Sequence, residues 1–252
     1  MTDVIVIDKL TKSFKGKTVL EDVNMRLQEG GIYGIVGDNG SGKTVLLKLI
    51  CGFMKPDSGT VTVNGKVIGK DADFPENTGI IIEAPGFLPN YSGMKNLEYL
   101  ASIRGKIGKE QIESAMKTVG LDPSSKLRVG KYSLGMKQRL GIAQAIMEDQ
   151  QLLILDEPMN ALDKDAVEEM RRLFLSFKAS GKTMLIVSHN EGDISTLCDE
   201  VYEFDGAKIK NRESRQYYAK GNRRKLTPQI TKQNLRGVLS DTDFLILIIY
   251  CF

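Results

Sequence analysis

The chain has 252 residues, with 41% hydrophobic and 27% charged side chains, the balance of a globular protein large enough to fold without disulfides or a structural metal. Its net charge of +3 is uneven: residues 206–252 hold ten Lys/Arg against Glu213, Asp241 and Asp243, a net of +7 that leaves −4 for the rest, so the basic balance is a property of the tail and does not mark the body as a nucleic-acid binder. Cys51, Cys198 and Cys251 are odd in number and far apart, the start Met1-Thr2-Asp3-Val4 has no secretory pattern, and no window reaches the roughly 20 apolar residues of a spanning helix. The expectation is a chain of a reducing compartment that meets a membrane only through a partner.

In chain order, Val4–Ile7 and Val23–Leu27 read as strands, and Thr60–Val63 followed by Asn64-Gly65 reads as a hairpin arm and its turn. Ile32–Val36, Gly79–Ile82, Leu152–Leu155 and Met184–Val187 are apolar throughout, the pattern of central strands covered on both faces. Tyr91–Ile103 and Lys109–Val119 have helical patterning, with Ile112, Met116 and Val119 on one face of the latter. Val201–Phe204, Asp205-Gly206 and Ala207–Ile209 form a closing hairpin. Short β-branched runs alternating with helices predict an α/β fold with a largely parallel sheet, and the helical stretch at roughly 84–147 predicts a subdomain inserted between two of its strands.

Gly37-Asp38-Asn39-Gly40-Ser41-Gly42-Lys43-Thr44 matches G-x-x-x-x-G-K-[ST], between the strand Ile32–Val36 and an apolar-faced helix over Val45–Ile50. Glycines let successive backbone N–H groups converge on phosphate oxygens, and the helix N-terminus adds partial positive charge at the same point. Lys43 is expected at the β- and γ-phosphates of a nucleotide, and the Thr44 hydroxyl on Mg²⁺. Leu152–Leu155 ends in Asp156-Glu157, two carboxylates at the C-terminal end of a buried strand, where open α/β sheets bind ligands. Asp156 is the candidate to hold Mg²⁺ and Glu157 the candidate general base for an attacking water.

From about Asp3 to Glu213 the chain resembles the ATPase subunit of ABC transporters. Besides the two motifs above, Tyr132-Ser133-Leu134-Gly135-Met136-Lys137-Gln138-Arg139 resembles the family's signature, with Ser133 and Gly135 matching and Tyr132, Leu134 and Met136 departing from it. The resemblance implies a P-loop NTPase core with an N-terminal antiparallel β part and an inserted α-helical subdomain, with 1–213 as the ATPase domain. It implies that Ser133 and Gly135 close on ATP bound by a second subunit in a head-to-tail dimer, with Asp163 of Asn160-Ala161-Leu162-Asp163 along the seam. It makes His189, the sole histidine, a γ-phosphate contact, and Phe14 an adenine-stacking ring whose rival reading is a core phenylalanine.

Where the family carries a glutamine that contacts Mg²⁺ and the water, this chain has Glu83, which together with the departing signature resembles bacitracin-resistance and lantibiotic-immunity exporters. The other reading of Glu83 is a solvated loop acid. The implied activity is Mg-dependent ATP hydrolysis at the cytoplasmic face of the cell membrane, driving a separate integral-membrane permease that exports a peptide antibiotic or similar amphiphile. Phe87, Leu88, Pro89 and Tyr91 are candidate permease contacts. The alternative is a soluble ATPase of the same kind acting on ribosomes or DNA, although no specific nucleic acid is expected. The tail 214–252, with Lys220, Arg223, Arg224, Lys225, Lys232 and Arg236 before nine apolar residues Phe244–Phe252, stays open between a solvated tail, an anionic-lipid contact, a partner surface and a truncated or frame-shifted remnant.

Overall fold

The computed structural model describes residues 2–83 and 86–213, with backbone alone for Arg212 and Glu213; the basic tail 214–252 lies outside the described residues. In chain order the elements are β1 (Asp3–Phe14), β2 (Lys17–Gln28), β3 (Ile32–Val36), α1 (Lys43–Ile50), β4 (Ser58–Val63), β5 (Lys66–Val67), β6 (Thr78–Ile81), α2 (Gly93–Arg104), α3 (Lys109–Thr118), a short 3₁₀ turn, α4 (Leu134–Ile146), β7 (Leu152–Asp156), α5 (Lys164–Ala179), β8 (Thr183–Val187), α6 (Glu191–Leu197), β9 (Glu200–Asp205) and β10 (Lys208–Glu213). A four-stranded antiparallel sheet runs β2-β1-β4-β5, and a six-stranded sheet runs β10-β9-β3-β8-β7-β6. In the larger sheet only β10 is antiparallel.

The larger sheet is the wall between two hydrophobic clusters, and period-two alternation assigns its residues. Leu153, Leu155, Met184 and Ile186 face the cluster built with α2 to α6, whereas Leu152, Ile154, Leu185 and Val187 face the cluster built with α1 and the antiparallel sheet. Strands buried on both faces cannot alternate apolar with polar, which is why β3, β7 and β8 read as solid apolar runs.

Gly79–Ile82 was expected to be central, but β6 is the edge strand of the six. Its apolar character comes from α4, which lies so close that a Cβ on Gly79 would stand 1.9 Å from the Ala145 carbonyl oxygen. The first hairpin also exceeds its expected length. β1 and β2 each have 12 residues, with register shifts that break the alternation and a tight turn at Lys15-Gly16, both at positive φ.

Helices α2, α3 and α4 all lie between β6 and β7 and share the outer cluster with the sheet. Parallel pairing aligns Ile35 with Val187, Val187 with Asp156, and Ile81 with Leu155. The loops that follow β3, β8, β7 and β6 therefore emerge side by side at one edge of the sheet.

Candidate functional site

The loop after β3 turns through Gly37, Gly40 and Gly42, all at positive φ. At Gly42 a Cβ would lie 2.8 Å from Val19 Cγ1, so space as well as conformation excludes a side chain; at Gly40 nothing lies within 4 Å and the demand is conformational alone. Lys43 opens α1 and is buried, its Nζ donating to the carbonyl oxygens of Gly37 and Asp38 at 2.9 and 2.8 Å. Its ammonium is pushed down from the ordinary lysine value by burial, against the pull of Glu157, Asp156 and Asp38. Ser41 Oγ is buried without a hydrogen-bond partner. A glycine cradle, a buried ammonium and an orphaned hydroxyl fit an anionic ligand that brings its own oxygens.

Thr44 Oγ1 donates to Asp156 Oδ2 at 3.1 Å, joining α1 to the end of β7. Burial pushes the Asp156 carboxyl upward, opposed by the Thr44 hydroxyl, the Glu83 backbone N–H and Lys43. Among the described residues no three His, Cys, Asp or Glu side chains are grouped to hold a metal. That suits Mg²⁺, which takes one or two protein oxygens and completes its shell from phosphates and water; Thr44 and Asp156 fit that part.

Glu157 follows in the left-handed region at φ +49, a conformation costing a non-glycine residue about 1 kcal/mol. Its backbone is held on both sides, the N–H donating to the Val187 carbonyl at 2.9 Å and its own carbonyl accepting from Gln138 Nε2 at 3.1 Å. Its Oε1 is buried without a hydrogen-bond partner and stands 3.4 Å from His189 Nε2. Burial, then the neighbouring Asp156 charge, pushes the carboxyl up to about 7. The His189 imidazole is pushed down, by burial and by the Lys43 charge, and is neutral at pH 7. With the imidazole favoured neutral, the pair is a close contact rather than a salt bridge.

Glu83 sits in the loop after β6, also left-handed at φ +60, and its carboxylate pairs with Lys48 Nζ at 2.7 Å. Glu83 is a loop acid with its side chain 45% exposed, as the solvated reading has it, and it is also tied to α1 by this pair. Phe14 is 41% exposed, with Lys12 Nζ 5.4 Å from its ring centroid, so it is not a core residue.

Ser133, Gly135 and Asp163 form a second group. Ser133 caps α4, accepting from Met136 N–H at 3.1 Å, and Asp163 caps α5, accepting from Ala166 N–H at 2.9 Å. Gly135 faces the next loop, where a Cβ would meet the Ala161 carbonyl oxygen at 3.2 Å and Leu162 Cδ2 at 3.4 Å. Ser133 and Asp163 bond within their own helix caps and Gly135 faces the loop after β7; none of these contacts involves the phosphate loop. Of the signature's departures, Tyr132 is buried with its hydroxyl bonded to the Gly93 backbone, whereas Leu134 is 71% exposed at the head of α4. Among the candidate permease contacts, Leu88 and Tyr91 are exposed while Phe87 packs partly against the core.

Sequence reading missed three positioning groups. Gln138 fixes the Glu157 backbone, and Lys48 pairs with Glu83. Arg171 Nη2 meets buried Asp193 Oδ1 at 2.6 Å, and Asp193 Oδ2 accepts from Ser188 Oγ at 3.0 Å, next to His189. Only Lys48 left a trace in the sequence: it falls four residues after Thr44, on the same helix face.

The family model for the ABC transporter matches residues 20–160. The chain is 40% identical over 210 residues to the uncharacterized ABC transporter ATP-binding protein YybJ of Bacillus subtilis (strain 168), covering 83% of this chain and 96% of that one. It is 37% identical over 246 residues to the bacitracin transport ATP-binding protein BcrA of Bacillus licheniformis, covering 97% and 80%. Among solved structures, the ATP-binding cassette MJ0796, a dimer in a post-hydrolysis state bound to ADP and Pi, has the same fold, with a TM-score of 0.74, 20% identity and coverage of 83% and 98%. The chain belongs to the ATP-binding subunits of ABC transporters, a family of ATPases that work with membrane permeases.

Proposed function

We propose that this chain is the Mg-dependent ATPase of an exporter for a peptide antibiotic or a similar amphiphile, acting in a head-to-tail pair at the cytoplasmic face of the cell membrane on a separate integral-membrane permease. The cargo class is carried over from the bacitracin relative, 37% identical across nearly the whole chain. Relatives named for transport give no support to a ribosome or DNA partner. Among the described residues no helix is long and apolar enough to cross a membrane.

The observation that carries the catalytic assignment is the buried, unpartnered Glu157 oxygen 3.4 Å from a neutral His189, beside Lys43 and the Thr44–Asp156 pair. In this reading the backbone of Gly37, Asp38, Asn39, Gly40, Ser41 and Gly42 cradles the phosphates, and Lys43 exchanges its two carbonyl bonds for phosphoryl oxygens. Thr44 and Asp156 hold Mg²⁺, aided by the loop of Glu83, and the ion supplies positive charge at the phosphoryl oxygens. Glu157 accepts a proton from water as the water oxygen bonds to the γ-phosphorus and the bond to the β–γ bridging oxygen breaks, giving ADP and phosphate. His189 donates to a γ-phosphoryl oxygen and Phe14 stacks on adenine. Ser133 and Gly135 of a second copy cover the γ-phosphate from the other side, with Asp163 along the seam. That the contacts of Ser133 and Gly135 stay away from their own phosphate loop supports this sharing.

The test is Glu157→Gln. The variant is expected to bind ATP, to lose turnover, and to accumulate an ATP-bound dimer on size-exclusion chromatography. Retained wild-type turnover refutes the assigned base.

A further inference from the structure

Glu83 is held at both ends. Its backbone N–H donates to the Asp156 carboxylate and its side chain accepts from Lys48 Nζ at 2.7 Å. Lys48 lies four residues beyond Thr44 on α1, so one helix face sends Thr44 to the end of β7 and Lys48 to the end of β6. The register places Ile81 beside Leu155, which brings Glu83 alongside Asp156 and Glu157. Glu83, Asp156 and Glu157 thus stand at the C-terminal ends of the neighbouring strands β6 and β7, beside the loop assigned above to the phosphates, and Lys43 is already engaged with the carbonyls of that loop. The Lys48 side chain is 14% exposed and the Glu83 side chain 45% exposed, so the cation is the more buried member of the pair.

We infer that Lys48 is a positioning residue for ATP hydrolysis: it holds Glu83 charge-balanced and aimed away from the phosphates, so that an acid at position 83 works only while a cation stands at position 48. This rests on the reading of the site given above. An unbalanced carboxylate would repel the charge that builds on the transferring phosphoryl group, whereas a neutral residue at 83 would have no need of Lys48. A purely structural role is also available to Lys48, because it stands in the last turn of α1, where a cation favours the helix dipole. The two roles differ in whether the effect of Lys48 depends on residue 83.

The experiment is a double-mutant cycle on the full chain, with Lys48→Met, Glu83→Gln and the pair, and with Lys48→Arg as the conservative variant. Steady-state ATPase gives kcat and KM, and a fluorescent trinitrophenyl-ATP gives binding. With Glu83 present, Lys48→Met is expected to lower kcat about tenfold, or about 1.4 kcal/mol, with less than a threefold change in nucleotide affinity. In the Glu83→Gln background the same substitution is expected to change kcat by less than twofold, and Lys48→Arg is expected to stay within twofold of wild type. Equal effects of Lys48→Met in both backgrounds, whatever their size, overturn the inference and leave the dipole role. Should Lys48→Met not fold, Lys48→Gln repeats the cycle under the same criterion. A wild-type chain without ATPase, or a Glu157→Gln variant that keeps it, refutes the assignment of the site itself; additive Lys48 and Glu83 effects in an active wild type refute only the coupling.

Discussion

A carboxyl group held near 7 makes the nucleotide-free protein less stable than it would be with a neutral side chain in the same place, and Glu157 provides the measure. Its carboxyl is raised from 4.5 to about 7, mainly by burial, with 29% of the side chain exposed. Because the folded state binds the proton more tightly than the unfolded one, the group's contribution is fully present below pH 4.5 and is lost as pH rises through 7. At pH 8 the ionised group then costs about 3 kcal/mol, and at pH 5 under about 1 kcal/mol. Glu157→Gln removes the charge and keeps the shape, so it is expected to stabilise the protein by about 3 kcal/mol at pH 8, roughly 10 °C in melting temperature for a chain of this size. Urea unfolding of wild type and variant at pH 5 and pH 8, in EDTA and without nucleotide, reads the difference directly. A gain that is equal at the two pH values, or absent at pH 8, refutes the claim that this carboxylate is stored in an unfavourable ionised state. If Glu157 is the base proposed above, the same titration predicts that kcat/KM falls below pH 7 as it is protonated.

Gly79→Ala is expected to cost about 3 kcal/mol in urea unfolding, because the new methyl would meet the Ala145 backbone at 1.9 Å and push α4 from the sheet, whereas Gly40→Ala, with open space and only φ +77 to overcome, is expected to cost about 1 kcal/mol. Arg171→Met leaves Asp193, whose side chain is 4% exposed, without its cation; a loss of about 3 kcal/mol is expected, together with slower turnover as Ser188 and His189 lose their anchor. Wild-type turnover with a normal urea midpoint would show that this ion pair does not hold the His189 loop.

The parallel core was legible because burial on both faces writes itself into composition: β3, β7 and β8 stand where unbroken apolar runs predicted them. The same signal misplaced Gly79–Ile82, since an edge strand covered by α4 has the composition of a central one, and only pairing tells them apart. α6 escaped notice because its seven residues are too few to show a period, although Asn190 caps it through a bond to the Gly192 N–H. Tyr132 read as a departure within a motif, yet the fold uses it to fill the space beside Gly93, a packing demand with no local signature.

The reactive features were hidden for a related reason. Motif spacing locates Asp156-Glu157 and Lys43-Thr44, but it does not say that a Glu157 oxygen is left unpaired, because that depends on how the Glu157 backbone is held by β8 and by Gln138 of α4. Glu83, Glu157 and Ala161, which are not glycines, take left-handed conformations, and all three stand in the loops that leave β6 and β7. Glutamate carries no local preference for that region, and the two glutamates are held there by anchors: Lys48 and Asp156 at Glu83, Val187 and Gln138 at Glu157. Lys9, Lys15, Asp22, Asn64, Asn77 and Asp149 are also at positive φ away from these loops, so the cost is not confined to the candidate site, and it is offset in the two hydrophobic clusters that flank the sheet. It follows that substitutions freeing an anchor, such as Lys48→Met, should change turnover before they change the unfolding midpoint, whereas substitutions inside the clusters should do the reverse.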